Sequence, residues 1–273
     1  MPPLSERQKE EAEDRTSVAV LVVHEAIRKD GDEELRRPVA ALAWSGLAAG
    51  LSMGFSFLGE AVLTGYLPQA KWTPLLTNFG YPFGFVLAIV GRQQLFTENT
   101  LTAIIPLLAK RNFQTLLAVL KLWVVVLAAN LIGAGAFAFA IQKMPVLRAE
   151  FTGPLMEVAT KAGDVNAESA LLRGIFAGWL IAMVVWMDAA TDQGRMSIII
   201  LFTYLVGLAG LTHIVAGSVE IMYLVASGTK TWLEAIGTYM LPTLVGNIIG
   251  GVALVSALNH AQVIAGARKA AAS

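Results

Sequence analysis

The chain has no cysteine, which excludes disulfides and thiolate metal sites. Charge is scarce. Of 273 residues 15% are Asp, Glu, Lys or Arg and 56% are hydrophobic, where a soluble domain is nearer a quarter charged. The charges cancel to a net of zero, so no global field points to nucleic acid or to a strongly charged partner. The sequence also lacks a Gly-rich phosphate loop, a metal-ligand cluster and a nucleophile set beside a base. Hydrolysis and ATP coupling are therefore without support, no cofactor is expected, and the chain reads as a non-enzyme. No secretory leader is expected either. Glu6 to Arg15 mixes both charge signs, and the apolar stretch from Val18 to Val23 is too short for a leader core.

What is present is a series of long apolar runs with short polar breaks, each run near the roughly 20 residues that a membrane helix needs. Residues 1–37 carry a dense set of charges and read as a cytosolic arm. Its helix would place Val18, Leu21, Val22 and Ala26 on one side. Pro38 suits a helix start, and the first span runs from about Val39 to Leu63, rich in small residues that allow close helix approach. The second stretch, Phe79 to Ala109, has a polar centre, GRQQLFTENT. Such a centre is tolerated only where it is buried in protein or lines a cavity, so two half-helices joined at Leu95–Thr100 are expected. The third span is about Phe113 to Ile141, followed by the longest polar connection, Gln142 to Ala167. The fourth is about Ser169 to Trp186. The fifth stretch, Met196 to Ala226, is interrupted by Gly207, Gly210, Thr212, His213, Gly217, Ser218 and Glu220, and the sixth is about Trp232 to Leu258.

The expected fold class is thus an all-α membrane protein of six transmembrane helices. Its domains are a cytosolic arm at 1–37, a channel domain at 38–260 and a cytosolic tail at 261–273. The positive-inside rule sets the orientation. With both termini inside, the inner face holds Arg7, Lys9, Arg15, Arg28, Lys29, Arg36, Arg37, Lys110, Arg111, Arg195, Arg268 and Lys269, and the outer face holds Lys71, Lys143, Arg148, Lys161 and Lys230. Each set of three spans reads whole helix, broken helix, whole helix, so the halves form inverted repeats. Breaks at matching positions point to a solute path near the midplane. The repeat is visible in the breaks, with weak residue identity between the halves.

His213 stands in the second break at membrane depth, where an ionisable group signals function and histidine can change charge near neutral pH. The blander alternative is a neutral ring satisfied by Thr212 or a backbone carbonyl. Thr97, in the first break, could hydrogen-bond a solute or His213, although a lone threonine there is more often a cap. Leu95 and Phe96 could narrow the path or simply pack. Glu98, Glu220, Arg92 and Asp188 read as structural ion pairs or interface positions more than as transport residues. Gly246, Gly250 and Gly251 imply close helix contact, and Asn247 needs a partner inside the bundle.

At LFTENT (95–100), GIFAGWLIAMVVWM (174–187), GLTHIVAG (210–217) and GNIIGG (246–251) the chain resembles the formate/nitrite transporter family, over nearly its whole length after about residue 20. The resemblance implies an aquaporin-like protomer and a homopentamer in a bacterial inner membrane. It implies a path in each protomer for a small monovalent anion or its conjugate weak acid. It puts the central histidine at His213, the loop threonine at Thr97, the cytoplasmic constriction at Leu95 and Phe96, and the periplasmic constriction near Tyr81, Phe85 and Val206. A vestibule lysine falls on Lys161 and the asparagine of the sixth span on Asn247. The chain departs from the family pattern at Arg92, Gln93 and Gln94. It has Gly178 and Gly217 where asparagines are usual, which is expected to widen the path, and Glu220 adds a carboxylate.

A bare charge in an apolar neck costs on the order of tens of kcal/mol. Protonating a weak acid with a pKa of about 3 to 5 costs only a few, at 1.36 kcal/mol per unit. The reading is therefore a lipid-embedded channel passing a small anion or weak acid, pH-dependent through His213. Two alternatives remain: a neutral-solute channel, for which the paired Asn-Pro-Ala boxes are absent, and a non-conducting scaffold or regulator, which a plugged path without flux would favour.

Overall fold

The computed structural model describes residues 20–191 and 194–270, with side chains to residue 265. Arg7, Lys9, Arg15 and Val18 lie outside the described residues, as do the side chains of Arg268 and Lys269.

The described residues are mostly helical with no strand among them, and six spans are present in two inverted halves. Four are continuous: Val39–Tyr66, Phe113–Lys143, Ala167–Ala190 and Trp232–Ala265. The second is broken. Its entering part, Thr73–Val90, is long and apolar enough to count as a span, and the chain resumes as Asn99–Thr102 and Ile104–Lys110. The fifth is made of two short apolar halves, Arg195–Leu208 and Ile214–Ser227, neither long enough to cross alone.

Local chemistry explains where these helices start and stop. Asn112 caps the third span by accepting from the Thr115 N–H at 2.8 Å, and Asn166 caps the fourth through Ser169 at 2.8 Å. Thr231 and Glu234 form a reciprocal capping box on the sixth. The first break opens earlier than the sequence suggests, at Gly91 rather than Leu95. Gly91 ends the helix, and Arg92 lies in the left-handed region at φ 53°, where a regular helix cannot continue.

Two other expectations change. In the arm helix, Val20–Arg36, the buried residues are Val23, His24, Ile27, Gly31 and Leu35, while Leu21 and Val22 are exposed. The four-residue spacing of Val23, Ile27, Gly31 and Leu35 is one helical face, and that face packs on the bundle. The connection at 142–167 contains a helix, Thr152–Gly163, which packs against the first span and the second half of the fifth.

The first span lies along the third, and the fourth along the sixth. Without a hydrophobic drive between helices in lipid, such pairs are held by close packing and hydrogen bonds. The centre is filled by Leu42, Met53, Phe57, Phe85, Leu95 and Phe96, all essentially inaccessible. Trp44, Val124, Ile132, Leu201 and Leu233 point outward, as apolar side chains do when they face lipid or neighbouring protein.

Candidate functional site

The two breaks meet at a single hydrogen bond. His213 Nε2 and Thr97 Oγ1 are 2.8 Å apart, and both residues are fully buried. The other ring nitrogen fixes the tautomer. His213 is the N-cap of the helix Ile214–Ser227, and its Nδ1 accepts from the Ala216 N–H at 3.1 Å. A nitrogen that accepts carries no proton, so the neutral ring holds its proton on Nε2 and donates to Thr97. The Thr97 hydroxyl proton then has no acceptor among the described residues. The sequence expectation that Thr97 and His213 pair is met in geometry.

Each break is held by one asparagine. Asn130, on the third span, accepts from the Phe96 N–H at 2.9 Å and donates to Gly46 O at 2.8 Å and Gln94 O at 2.9 Å. Asn247, on the sixth, accepts from the Ile214 N–H at 2.8 Å and donates to Gly174 O at 2.8 Å and Thr212 O at 3.0 Å. Backbone freed by a helix break must be satisfied inside the protein at this depth, and each asparagine satisfies two such groups while its third bond ties the break to a carbonyl of a continuous span. The register makes Leu95 the counterpart of His213. It also shows residue identity between the halves that had seemed weak. Residues 46–50 read GLAAG and 174–178 read GIFAG, while 130–133 read NLIG and 247–250 read NIIG. Sequence reasoning missed Asn130, whose signal was this repeated N-x-I-G.

The glycines at the departures pack rather than widen. A side chain at Gly178 would overlap the Asn247 backbone, and one at Gly217 would overlap the Tyr239 hydroxyl. Gly178 thus sets the spacing of the fourth and sixth spans, as Gly50 does against Asn130 in the first half. Gly217 makes room for Tyr239, which sits on a π-helical stretch, Ala235–Met240. Such stretches are frequent at functional sites.

Around the pair the surfaces are apolar. The Phe85 ring meets the His213 ring edge-to-face at 5.0 Å, and Tyr81 lies 5.5 Å from Phe85. Val206 and Leu95 are fully buried nearby in the same core, and Phe96 packs on Trp123 at 5.7 Å. Two cavities approach from opposite ends and share no lining residue. The arm-side cavity, about 360 Å³, is lined by Asp30, Glu34, Arg37, Arg92, Glu98 and Arg195 among others. The far-side cavity, about 60 Å³, is lined by Glu60, Tyr81, Lys161, Arg173, Glu220 and Tyr239 among others. Tyr81 lines the far-side cavity and Ile89 the arm-side one, eight residues apart on one helix, so the cavities lie roughly 12 Å apart along it at 1.5 Å per residue. His213 borders neither cavity, and the neck between them is closed.

Of the four charged residues expected in ion pairs, Asp188 fits, bonded to Arg195 at 2.8 Å. Glu98, Arg92 and Glu220 have no ion-pair partner among the described residues and line the cavities instead. At the arm, Glu34 accepts from Thr102 at 2.8 Å and Gln94 at 3.1 Å, and its burial pushes the carboxyl above the usual range. His24 meets His260 at 2.9 Å, and burial, then the second imidazole, lowers His24 below the usual histidine range. Arg28 bonds Glu25 and Asp32, both at 2.7 Å.

A family model described as Formate/nitrite transporter matches residues 21–261. The chain is 42% identical over 251 residues to the inner membrane protein YfdC of Escherichia coli (strain K12), covering 92% of this chain and 81% of that one. It is 23% identical over 239 residues to the formate channel BtFdhC of Bacillus thuringiensis, covering 85% and 91%. Its fold is similar to a solved pentameric formate channel with formate bound, with a TM-score of 0.69 at 18% identity over 87% of this chain and 99% of that one.

Proposed function

The chain belongs to the formate/nitrite transporter family, and from that premise we propose that it conducts a small monovalent anion as, or together with, its conjugate weak acid. The setting is a bacterial inner membrane, with both termini cytoplasmic. The assembly is a homopentamer in which each protomer carries its own path, with the lipid bilayer around it. The relatives support this setting: one is named an inner membrane protein, and a similar solved channel is pentameric. The arm-side cavity is then the cytoplasmic vestibule and the far-side cavity the periplasmic one.

The observation that carries the reading is the His213–Thr97 pair, set between two polar cavities inside an apolar neck. Lys161 draws an anion into the far-side vestibule. Tyr81, Phe85 and Val206 bound the neck on that side, and Leu95 and Phe96 bound it on the other. Passage requires the neck to open, since the cavities do not meet. At the crossing point the solute finds two donors. The Thr97 hydroxyl has a proton to give, and the His213 Nε2–H can exchange Thr97 for a solute oxygen. Asn247 and Asn130 hold the backbone so that neither donor moves away. An apolar neck penalises a bare charge by tens of kcal/mol, so the solute crosses as its neutral acid beside the imidazole, and flux rises with acidity.

The test is formate flux into proteoliposomes at two pH values with wild type and His213→Phe. The variant is expected to lose the pH-dependent flux. Equal flux and an equal pH profile would refute the role of the ring.

A further inference from the structure

The far-side cavity holds two carboxyl groups that the account above leaves idle. Glu60, on the first span, and Glu220, on the second half of the fifth, are 7% and 6% exposed, yet both line the cavity. Neither side chain makes a hydrogen bond or ion pair with any described residue, although Lys161 and Arg173 line the same space. Carboxyl groups at membrane depth normally pair, or else mark a proton or ion route. These two open to a cavity and do not pair.

His213 is poorly placed to supply a proton. Its Nδ1 is taken by the Ala216 N–H and its Nε2–H is given to Thr97. Adding a second proton to the ring would break the cap of its own helix. Glu220 lies beyond that cap on the same helix, on the side of the cavity. Facing it across the cavity are Glu60, Lys161, Arg173, Tyr81 and Tyr239, from five separate elements. The cavity, at about 60 Å³, has room for a solute of a few heavy atoms and excludes a large one.

We propose that Glu220, resupplied through Glu60, is the proton donor that converts the incoming anion to its neutral acid before it reaches His213. This rests on the weak-acid reading above. In the step the O–H bond of the Glu220 carboxyl breaks, its electron pair stays on Glu220, and a new O–H bond forms on the solute oxygen. Glu60 then passes a proton to the Glu220 carboxylate and regains one from water at the mouth of the vestibule. Lys161 and Arg173 hold the anion while the transfer occurs, and the two phenols can hydrogen-bond the solute.

Full-length wild type, Glu220→Gln and Glu60→Gln are reconstituted in liposomes with a trapped pH dye, and formate is the probe. Glu220→Gln is expected to slow formate-coupled proton entry by roughly a hundredfold, the lower end of what a positioned proton donor supplies, and to flatten its rise on acidification. Wild-type uptake matched by Glu220→Gln in rate and pH profile overturns this proposal and leaves the weak-acid reading intact. No formate uptake by wild type at any pH overturns the weak-acid reading and this proposal with it. Infrared difference spectra of wild type give a second readout that needs no variant. Formate should remove a protonated-carboxyl band, and the absence of that change overturns the proposal even where Glu220→Gln fails to assemble.

Discussion

In the first half Asn130 fastens Gly46 to the chain at Gln94 and Phe96, and in the second Asn247 fastens Gly174 to the chain at Thr212 and Ile214. The bonds correspond one for one, yet the residue each clamp presents differs. It is Leu95 in one half and His213 in the other. Scaffold and chemistry are thus separable here: the clamp fixes where the backbone breaks, and the residue it presents decides what a solute meets. The halves differ also in what covers them. The arm fastens to the first half through Glu34, Gln94 and Thr102 and through Asp32 and Lys110, and it touches the second through His24 and His260.

The comparison breaks most visibly if the clamps are removed. Asn130→Ala strands Gln94 O and the Phe96 N–H, and Asn247→Ala strands Thr212 O and the Ile214 N–H, two buried backbone groups each, at about 1–3 kcal/mol apiece. Each should therefore lower stability by about 2 kcal/mol or more, and by similar amounts, in thermal unfolding of the detergent-solubilised protein. A large loss for one and a small loss for the other would show that the halves are not equivalent. A middle-sized effect sharpens the contrast in chemistry. Thr97→Val removes one donor at the crossing and should cut formate flux about tenfold, while stability changes by less than about 1 kcal/mol, as a single interhelical hydrogen bond in a membrane protein is worth. Unchanged flux would remove Thr97 from the path.

The smallest effect concerns the arm. His24, held below the usual range by burial and by His260, supports docking while neutral and loses that support as pH falls through its folded value. Glu34, held above the usual range by burial, supports docking while protonated and loses it as pH rises through its folded value. Hydrogen exchange over residues 20–36, corrected for intrinsic rates, should show the His24 end loosening in acid and the Glu34 end loosening toward neutral pH. His24→Phe should abolish only the first change. Both ends moving in the same direction would contradict this division of the arm between the halves.

Much of this was legible in the sequence because lipid imposes strict rules. Long apolar runs set the spans, and polar residues at membrane depth exposed the breaks and singled out His213. What stayed hidden depends on contacts between distant segments. Asn130 resembles any polar residue in a long helix until Gly46 and Gln94 are seen beside it. Gly217 reads as a lost polar group until Tyr239 is found in the space it leaves. The helix Thr152–Gly163, which carries Lys161 to the far-side cavity, lay within what reads in the sequence only as the longest polar connection. The arm misled in another way, because its apolar residues occupy more than one face and only tertiary packing chose among them.

The cap that Ala216 places on Nδ1 has a further consequence. With that lone pair turned into the protein, the imidazole shows only an N–H to anything arriving from either side. A cation or a transition metal finds no electron pair to bind there, whereas an oxygen bearing negative charge finds a partner. The ring can therefore sort visitors by sign while carrying no charge of its own.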